Sequence, residues 1–363
     1  MNYRPFGVRL TATLILAGCF TLAGCGGPGP SSPVPASADH VAHSGAGRSG
    51  SAQTLYVASE SGVAAFNTAS YALERTYGAS QGVNYPQALA EDTAGNLYVA
   101  NPIDNDVVEF AAGTTTTLQT LSKGMHGPYA LVFDPSGNLY VLNGGATAQG
   151  PNVAVYSPDG SLLRTITHGL SNPVSLAFDS SGNLYVANQG TDNVTVYNGG
   201  LNKVSRTLAS GFPNSILVDK SDDVYVVGCG IKCVEGRITE YAPHSKTIVR
   251  TITKELRDPR QIALDSNGNL FVAQANAGDV KTPCRVTVYA KGQTQPYEKI
   301  TDGVHGATWV AIDASDNLYV MNSINHCYGN KTGNIPVYPA GTTMFVHRFA
   351  KPILHPVQLL IGS

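Results

Sequence analysis

The stretch Asp179-Ser-Ser-Gly-Asn-Leu-Tyr-Val-Ala-Asn188 decides the fold of this chain, because it recurs along the sequence with small variations. Full copies begin at Asp92, Asp134, Asp179, Asp265 and Asp313, a degenerate copy begins at Asp219, and a copy without the Asp turn begins at Leu55. The Leu or Val of the motif stands at positions 55, 97, 139, 184, 224, 270 and 318, so the steps are 40 to 48 residues. Steps of this size are typical of the blades of a β-propeller.

Each repeat unit reads as four short strands, and the unit that contains the quoted stretch shows them most clearly. Residues 174–178 form an apolar run that is typical of a strand buried on both faces. Residues 179–183 predict a hairpin turn rather than a calcium loop, because the further carboxylates of an oxygen cage are missing. The second, third and outer fourth strands are predicted at residues 184–187, 193–197 and 204–208.

The two ends of the repeat region predict how the ring closes. Residues 355–362 align with residues 172–179 and supply a first strand with no second strand after it. Residues 55–58 supply a second strand with no first strand before it. Pairing these two segments gives an all-β, seven-bladed propeller of four-stranded antiparallel blades, without the open sheet edge that invites association. We therefore expect a monomer.

The repeat resembles the NHL type, in which Pro and an apolar strand precede Asp-x-x-Gly-Asn and an aromatic-Val-Ala strand. The resemblance covers nearly all of residues 54–363 and implies a propeller, but such propellers host enzymes, binders and scaffolds alike. One feature departs from the family, in which Asp is frequent at the end of the second strand. Here that strand ends in Asn at positions 101, 143, 188 and 322.

The N-terminal segment reads as an export signal. Residues 1–24 have a positive start and an apolar stretch too short to span a bilayer, and the motif Leu22-Ala-Gly-Cys25 spans their end. This resembles a bacterial lipobox, which implies lipidation at Cys25; Cys19 and an ordinary secretory signal are the alternatives. Residues 25–53 then form a flexible tether rich in Gly, Pro, Ser and Ala. We expect an exported protein held on a bacterial membrane, and on the outer membrane if the cell has two.

Charge and cysteine content narrow the classes of function further. The net charge is −2, only 13% of residues are charged, and no basic run occurs, so a nucleic-acid partner is not expected. Four cysteines follow the tether, and an even number in an exported protein suggests disulfides. We favour the pairs Cys229–Cys233 and Cys284–Cys327, with a zinc site formed together with His326 as the alternative.

The loops that lead into the inner strands and those between second and third strands are expected to share one face around the central channel, where a ligand would bind. Aromatic, amide and charged side chains are predicted there, as suits a sugar, a peptide or a loop of a protein partner. The predicted ligand-binding residues are Tyr85, Tyr129, Phe212, Asn214, Asp258, Arg260 and Trp309. The long connections 143–152, 228–236, 274–285 and 322–334 are expected to wall one side of the opening.

A metal-dependent hydrolase or lyase on the same face is the alternative function, and it has two forms. Phe212-Pro-Asn-Ser resembles the Pro-Asn-Gly loop of the regucalcin and gluconolactonase family, which implies a calcium ligand at Asn214. Arg260 stands where that family has its next ligand, an Asp, and this argues against calcium. Instead, His126, His305 and His355 approach the channel mouth and could hold zinc. No known catalytic motif occurs, so we favour binding without a cofactor over an enzyme.

Overall fold

The structure is a computed structural model, and it describes residues 53–144, 150–229, 235–275, 284–322, 333–350, 353 and 355–362. These residues form seven four-stranded antiparallel sheets. In blade 1 the strands from the inside outward are β28 (Pro356–Gly362), β1 (Thr54–Ser59), β2 (Gly62–Asn67) and β3 (Leu73–Tyr77). Blade 2 contains β4 (Ala88–Glu91), β5 (Leu97–Asn101), β6 (Asp106–Phe110) and β7 (Thr117–Leu121). Blade 3 contains β8 (Pro128–Phe133), β9 (Leu139–Asn143), β10 (Asn152–Tyr156) and β11 (Leu162–Ile166).

The remaining blades repeat the same order. Blade 4 contains β12 (Pro173–Phe178), β13 (Leu184–Asn188), β14 (Asn193–Tyr197) and β15 (Val204–Ala209). Blade 5 contains β16 (Pro213–Val218), β17 (Val224–Cys229), β18 (Gly236–Tyr241) and β19 (Ile248–Ile252). Blade 6 contains β20 (Pro259–Leu264), β21 (Leu270–Gln274), β22 (Arg285–Tyr289) and β23 (Pro296–Ile300). Blade 7 contains β24 (Ala307–Ile312), β25 (Leu318–Asn322), β26 (Ile335–Tyr338) and β27 (His347–Phe349).

Helical structure within the described ranges is confined to three short 3-10 turns, at Ala79–Gln81, Gln189–Thr191 and Asn198–Gly200. Among these residues, none belongs to a helix long and apolar enough to cross a membrane.

The ring is closed by the two ends of the repeat region, as predicted. Strand β28 pairs antiparallel with β1, with Leu55 opposite Ile361 and Val57 opposite Leu359. Inner strands of consecutive blades contact one another around the ring, and β28 contacts both β24 and β4. The seven-bladed architecture and its closure are therefore confirmed, and the inner strand β28 has neighbours on both sides.

The Asp turns are hairpins held by their own side chains. In the turn that begins at Asp179, Oδ1 accepts hydrogen bonds from the amides of Ser181 and Asn183, at 3.1 and 2.8 Å. Oδ2 accepts a third bond from Asn183 Nδ2 at 2.8 Å. The same three bonds occur in the turns that begin at Asp92, Asp134, Asp265 and Asp313. Both carboxylate oxygens are thus used within the turn, which confirms the hairpin interpretation.

Two turns carry Asp where the others carry Gly, and both join neighbouring blades. Asp222 and Asp316 adopt the left-handed conformation, with φ of 64° and 61°. The Asp316 carboxylate accepts from the amide and the hydroxyl of Ser266 in the preceding blade, at 2.8 and 2.6 Å. Asp222 binds Ser180 in the same way, at 2.8 and 2.6 Å. A residue that is unfavourable for the local backbone therefore supplies a contact between blades.

The core lies between adjacent blades, where the apolar faces of their sheets meet. One cluster joins Val132 and Tyr140 of blade 3 to Leu176 and Phe178 of blade 4, and the Tyr140 and Phe178 rings lie 4.7 Å apart, edge to face. Every residue of the inner strand β12 is buried, which explains its continuous apolar pattern in the sequence. Burial of such side chains is the main term that stabilises the ring.

Candidate functional site

Two sets of loops meet on one side of the ring, as the sequence predicted, and we call this side the loop face. It comprises the segments that enter the inner strands and the connections between second and third strands. Backbone hydrogen bonds join the two sets, for example from Gln189 N to Asn172 O at 3.1 Å and from Ala275 N to Asp258 O at 3.3 Å. The opposite side carries the Asp hairpins and the connections to the fourth strands, and we call it the turn face.

The amide side chains at the end of the second strand hold the loop face in place. Asn101 is fully buried, and its Oδ1 accepts from the amide of Asn84, two residues before Pro86, at 3.1 Å. Its Nδ2 donates to Gly82 O at 2.9 Å and to Asp106 Oδ1 at 2.8 Å. The corresponding acceptor bonds in other blades are His126 N to Asn143, Ser171 N to Asn188, Arg257 N to Gln274 and His305 N to Asn322. The second-strand amides of blades 2, 3, 4, 6 and 7 are therefore structural supports for the loops of those blades.

One residue in each segment that enters an inner strand adopts a left-handed conformation. It directly precedes the strand in blades 1 and 3 to 7, and in blade 2 it is Tyr85. The φ angles are 49° at Tyr85, 69° at Gly127, 45° at Asn172, 44° at Phe212, 44° at Asp258, 140° at Gly306 and 49° at His355. Glycine adopts such angles freely, whereas a residue with a Cβ loses about 1 kcal/mol there. Blades 3 and 7 use glycine, but blades 2, 5 and 1 place aromatic rings at this position.

Two of the predicted ligand-binding residues are used to join blades instead. The Tyr129 hydroxyl donates to Pro173 O of the next blade, and the side chain is only 9% exposed. Asn214 is 2% exposed; its Nδ2 donates to Pro259 O and its Oδ1 accepts from Gln189 Nε2, both at 3.1 Å. Burial raises the pKa of Tyr129, as expected for a hydroxyl in a packed interface. Both residues lie on inner strands, β8 and β16, directly after the loops that enter them. Sequence position alone could not separate them from the exposed residues of those loops.

Trp309, Asp258 and Arg260 also occupy packed surroundings. Trp309 is 1% exposed and lies in the core between blades 7 and 1, which argues against a ligand contact. The Asp258 carboxylate is 1% exposed and binds Arg260 through two contacts, Nε to Oδ1 and one terminal nitrogen to Oδ2, both 2.9 Å. This pair belongs to one blade and joins Asp258, which directly precedes β20, to Arg260 on that strand. Of the predicted set, Tyr85 and Phe212 are the aromatic side chains that remain open to solvent.

The aromatic and apolar side chains of the loop face that are at least partly exposed are distributed over several blades. The Tyr85 side chain is 48% exposed, and Phe212 is half-buried. His355 is exposed, and its Nδ1 lies 2.7 Å from Oε2 of Glu60, in the connection between β1 and β2 of the same blade. Ile103, which the sequence analysis did not single out, is 58% exposed in the connection after β5. Its only sequence signal was an apolar residue in a polar loop.

The three histidines predicted for a metal lie in separate surroundings. His126 Nε2 lies 2.8 Å from Gly150 O, and its ring contacts the Asn152 amide. Burial, assisted by the Arg348 guanidinium, lowers the pKa of His305. Within the described ranges, no three His, Cys, Asp or Glu side chains are close enough together to hold a metal ion. His126, His305 and His355 are therefore not brought together by the described part of the fold.

Most of the four long connections lie outside the described residues, so their predicted role as a wall stays a prediction. Cys233 and Cys327 also lie outside them, as does the side chain of Cys229. Cys284 is fully buried at the start of β22, with its sulfur 3.4 Å from Ala275 O. The pairs Cys229–Cys233 and Cys284–Cys327 and the zinc alternative accordingly stay predictions.

No protein-family model and no curated protein matches this sequence. Several solved structures resemble its fold. A protein from Lactobacillus plantarum is 15% identical with a TM-score of 0.66, over 86% of this chain and 100% of that one. Hydrazine synthase of Kuenenia stuttgartiensis is 15% identical with a TM-score of 0.58, over 69% of this chain and 76% of that one. The WD40 β-propeller domain of Doa1 is 14% identical with a TM-score of 0.56, over 74% of this chain and 86% of that one.

At these identities the similarity shows the fold alone. The class of the protein is therefore a seven-bladed β-propeller. The resemblances to NHL repeats and to the regucalcin and gluconolactonase family stay predictions.

Proposed function

We propose that this protein is an exported, lipid-anchored binding module that holds a ligand or a protein partner at its loop face. The observation that carries the proposal is the choice of side chain at the left-handed positions. Tyr85, Phe212 and His355 stand where Gly127 and Gly306 serve the same loops with less backbone strain. Strain that the fold does not require is a sign of function, and exposed aromatic rings are common in binding surfaces.

The position of the N-terminal tether supports this use of the loop face. Strand β1 runs from the turn face to the loop face, so the chain enters the ring at the turn face. Gln53 lies there; its Oε1 accepts from Ala314 N at 2.7 Å, and its Nε2 donates to Gly362 O at 3.3 Å. The tether that precedes Gln53 is therefore attached to the ring at the turn face and not at the loop face.

The alternative, a metal-dependent hydrolase or lyase, has less support. It needs three ligands at one point, and the described residues of the loop face do not supply them. Metal analysis of the purified full-length protein separates the two proposals, because stoichiometric zinc or calcium would favour the enzyme.

A photo-cross-linking experiment in the native cell tests the binding role. We place benzoylphenylalanine at Ile103 on the loop face and, as a matched control, at Leu163, which is 49% exposed on the outer strand β11. A discrete adduct should form at position 103 only. Adding Tyr85→Gly to the same chain should remove the adduct without lowering the melting temperature. Equal adducts at both positions, or an adduct that survives Tyr85→Gly, would contradict the proposal.

The lipid anchor has a separate test. Cys25→Ser should move the protein from the membrane fraction to the soluble fraction, because the substitution removes the thiol that would carry the lipid. Retention of this variant in the membrane would favour Cys19 or another attachment, and a parent protein that is already in the soluble fraction would favour the ordinary secretory signal.

A further inference from the structure

Each blade pairs an aromatic residue of its second strand with a residue of its outer strand, across one residue of the third strand. In blade 4, for example, Tyr185 and Arg206 both lie opposite Val196. The outer-strand residue is Arg in blades 1, 3, 4 and 5, Gln in blade 2 and His in blade 7, but in blade 6 it is an acid. From blade 1 to blade 7 this row of residues is Arg75, Gln119, Arg164, Arg206, Arg250, Glu298 and His347.

Two Arg residues of this row show what the guanidinium does, because each reaches from its own blade to the next. Arg164 Nε in blade 3 donates to Gly200 O, in the connection before the outer strand of blade 4, at 3.1 Å. One of its terminal nitrogens donates to the Tyr140 hydroxyl of its own blade at 2.6 Å. Arg250 in blade 5 likewise donates to Gln293 O of blade 6 at 2.6 Å. The guanidinium therefore lies on the turn face between neighbouring blades.

Blade 6 departs from this arrangement at both positions, since Phe271 and Glu298 form its pair. The other blades have Tyr in place of Phe271, and its hydroxyl can donate to the turn carboxylate, as Tyr185 does to Asp179 Oδ2 at 3.1 Å. Phe271 cannot donate in this way to Asp265. The Tyr residues at this position are at most 5% exposed, whereas Phe271 is partly exposed. A guanidinium and a hydroxyl are thus both missing between blades 6 and 7.

A cavity of about 160 Å³ lies at this point, between β23 and the connection that precedes β27 of blade 7. Its walls include the acids Asp265, Glu298 and Asp316 and the aromatic residues Phe271 and Tyr297, and its lining contains no Lys, Arg or His. Among the residues that the structure describes, none of these three acids forms an ion pair. Burial, together with the charges of Glu298 and Asp265, raises the pKa of Tyr297. The cavity is therefore negatively charged and partly aromatic.

These walls select a planar organic cation. In the described part of the chain, no three acidic side chains are close enough together to hold a metal ion, which favours a molecular cation. A guanidinium group is planar, stacks on aromatic rings and donates to carboxylates. A cavity of about 150 Å³ can hold benzene, so the present cavity suits a ligand of about six heavy atoms.

We propose that this cavity binds a small guanidinium compound. Its planar group lies in blade 6 where blades 1, 3, 4 and 5 place the Arg of their own outer strand. The site is on the turn face, so it is separate from the loop face and goes beyond the binding role proposed there.

Ligand-observed NMR titration of the full-length protein in neutral detergent tests the proposal. The probe is ethylguanidinium, and ethylurea is the uncharged analogue of matching size and shape. Ethylguanidinium should bind with a Kd on the order of 1 mM, as expected for so small a ligand. Ethylurea should bind at least about tenfold more weakly because it carries no charge, and added salt should weaken ethylguanidinium but not ethylurea.

Two changes in blade 6 and one control assign the site. Glu298→Gln should weaken ethylguanidinium about tenfold without lowering the melting temperature. Glu298→Arg combined with Phe271→Tyr introduces the pair that blade 4 has, so this double variant should lose ethylguanidinium binding and unfold at a higher denaturant concentration. Glu74→Gln is the matched control, because Glu74 is an acid of the outer strand β3 in blade 1 that is paired with Arg75 at 3.3 Å. It should leave binding unchanged.

Several outcomes overturn the inference. Equal binding of ethylurea, no saturable binding of ethylguanidinium, an equal loss in Glu74→Gln, or full binding by the double variant would each do so. Tighter binding of N-acetylarginine amide than of ethylguanidinium would show that the cavity takes an Arg side chain of a protein partner instead of a small compound. If the double variant does not fold, Glu298→Gln decides, and unchanged binding in that variant refutes the proposal.

Discussion

Replacing Asn101 by Ala tests how the loop face is held, and the structure gives the size of the effect. The Asn101 side chain is fully buried and makes three hydrogen bonds, with Asn84 N, Gly82 O and Asp106 Oδ1. At about 1 kcal/mol net for each bond, the loss would be about 3 kcal/mol. Gly82 is exposed, so its carbonyl regains water, and we expect a loss of about 2 kcal/mol in the free energy of unfolding.

Trp309 offers a convenient assay for this prediction. It is the single tryptophan of the chain and is 1% exposed between blades 7 and 1, so its fluorescence should report unfolding of the propeller. Denaturant titration of the variant should give a lower midpoint with an unchanged slope. Asn267→Ala is the control, because Asn267 is exposed, and this change should stay within about 0.5 kcal/mol of the parent.

Asn101→Asp sharpens the test. It introduces the residue that is frequent in NHL repeats, but it removes both donors and sets a carboxylate next to Asp106, where Nδ2 and Oδ1 are now 2.8 Å apart. Burial already raises the pKa of Asp106. The variant should therefore be less stable than Asn101→Ala at neutral pH and recover on acidification, as the two carboxylates share a proton. An Asn101→Ala protein as stable as the parent would refute the supporting role of the second-strand amides.

Two further predictions concern the turn face and the core. Asp316→Gly relieves about 1 kcal/mol of backbone strain but removes two hydrogen bonds to Ser266. Denaturant titration should therefore show a net loss of about 1 kcal/mol in the free energy of unfolding. A stabilised variant would show that the backbone strain is the larger effect. Burial raises the pKa of Tyr56, Tyr140 and Tyr156 to about 12, above the value of about 10 in an unfolded chain. The stability that these neutral hydroxyls contribute is complete below pH 10 and is lost between about pH 10 and 12. Tyrosinate absorbance should therefore appear together with unfolding of the propeller. Ionisation of these tyrosines near pH 10 in the folded protein would contradict this prediction.

The loop face was predicted at the level of loops but not at the level of side chains. Position within a repeat placed Tyr85, Tyr129 and Asn214 in equivalent loops, and the structure confirms that these loops share one face, although Tyr129 and Asn214 belong to the inner strands β8 and β16. Position within the repeat did not predict that the Tyr129 hydroxyl bonds to Pro173 O or that the Asn214 side chain bonds to Pro259 O. Such contacts depend on the distance between neighbouring blades, which no single repeat encodes.

The sequence by itself determined the number of blades, the position of most strands and the closure of the ring. These features are local or periodic: an Asp turn closes on its own backbone, a strand follows from its apolar pattern, and the period fixes the count. Only the tertiary structure decided which loop side chains face solvent and which join blades. That choice follows from packing between residues about 45 positions apart, such as Asn214 and Pro259, whose contact distance of 3.1 Å exists only once the ring has formed.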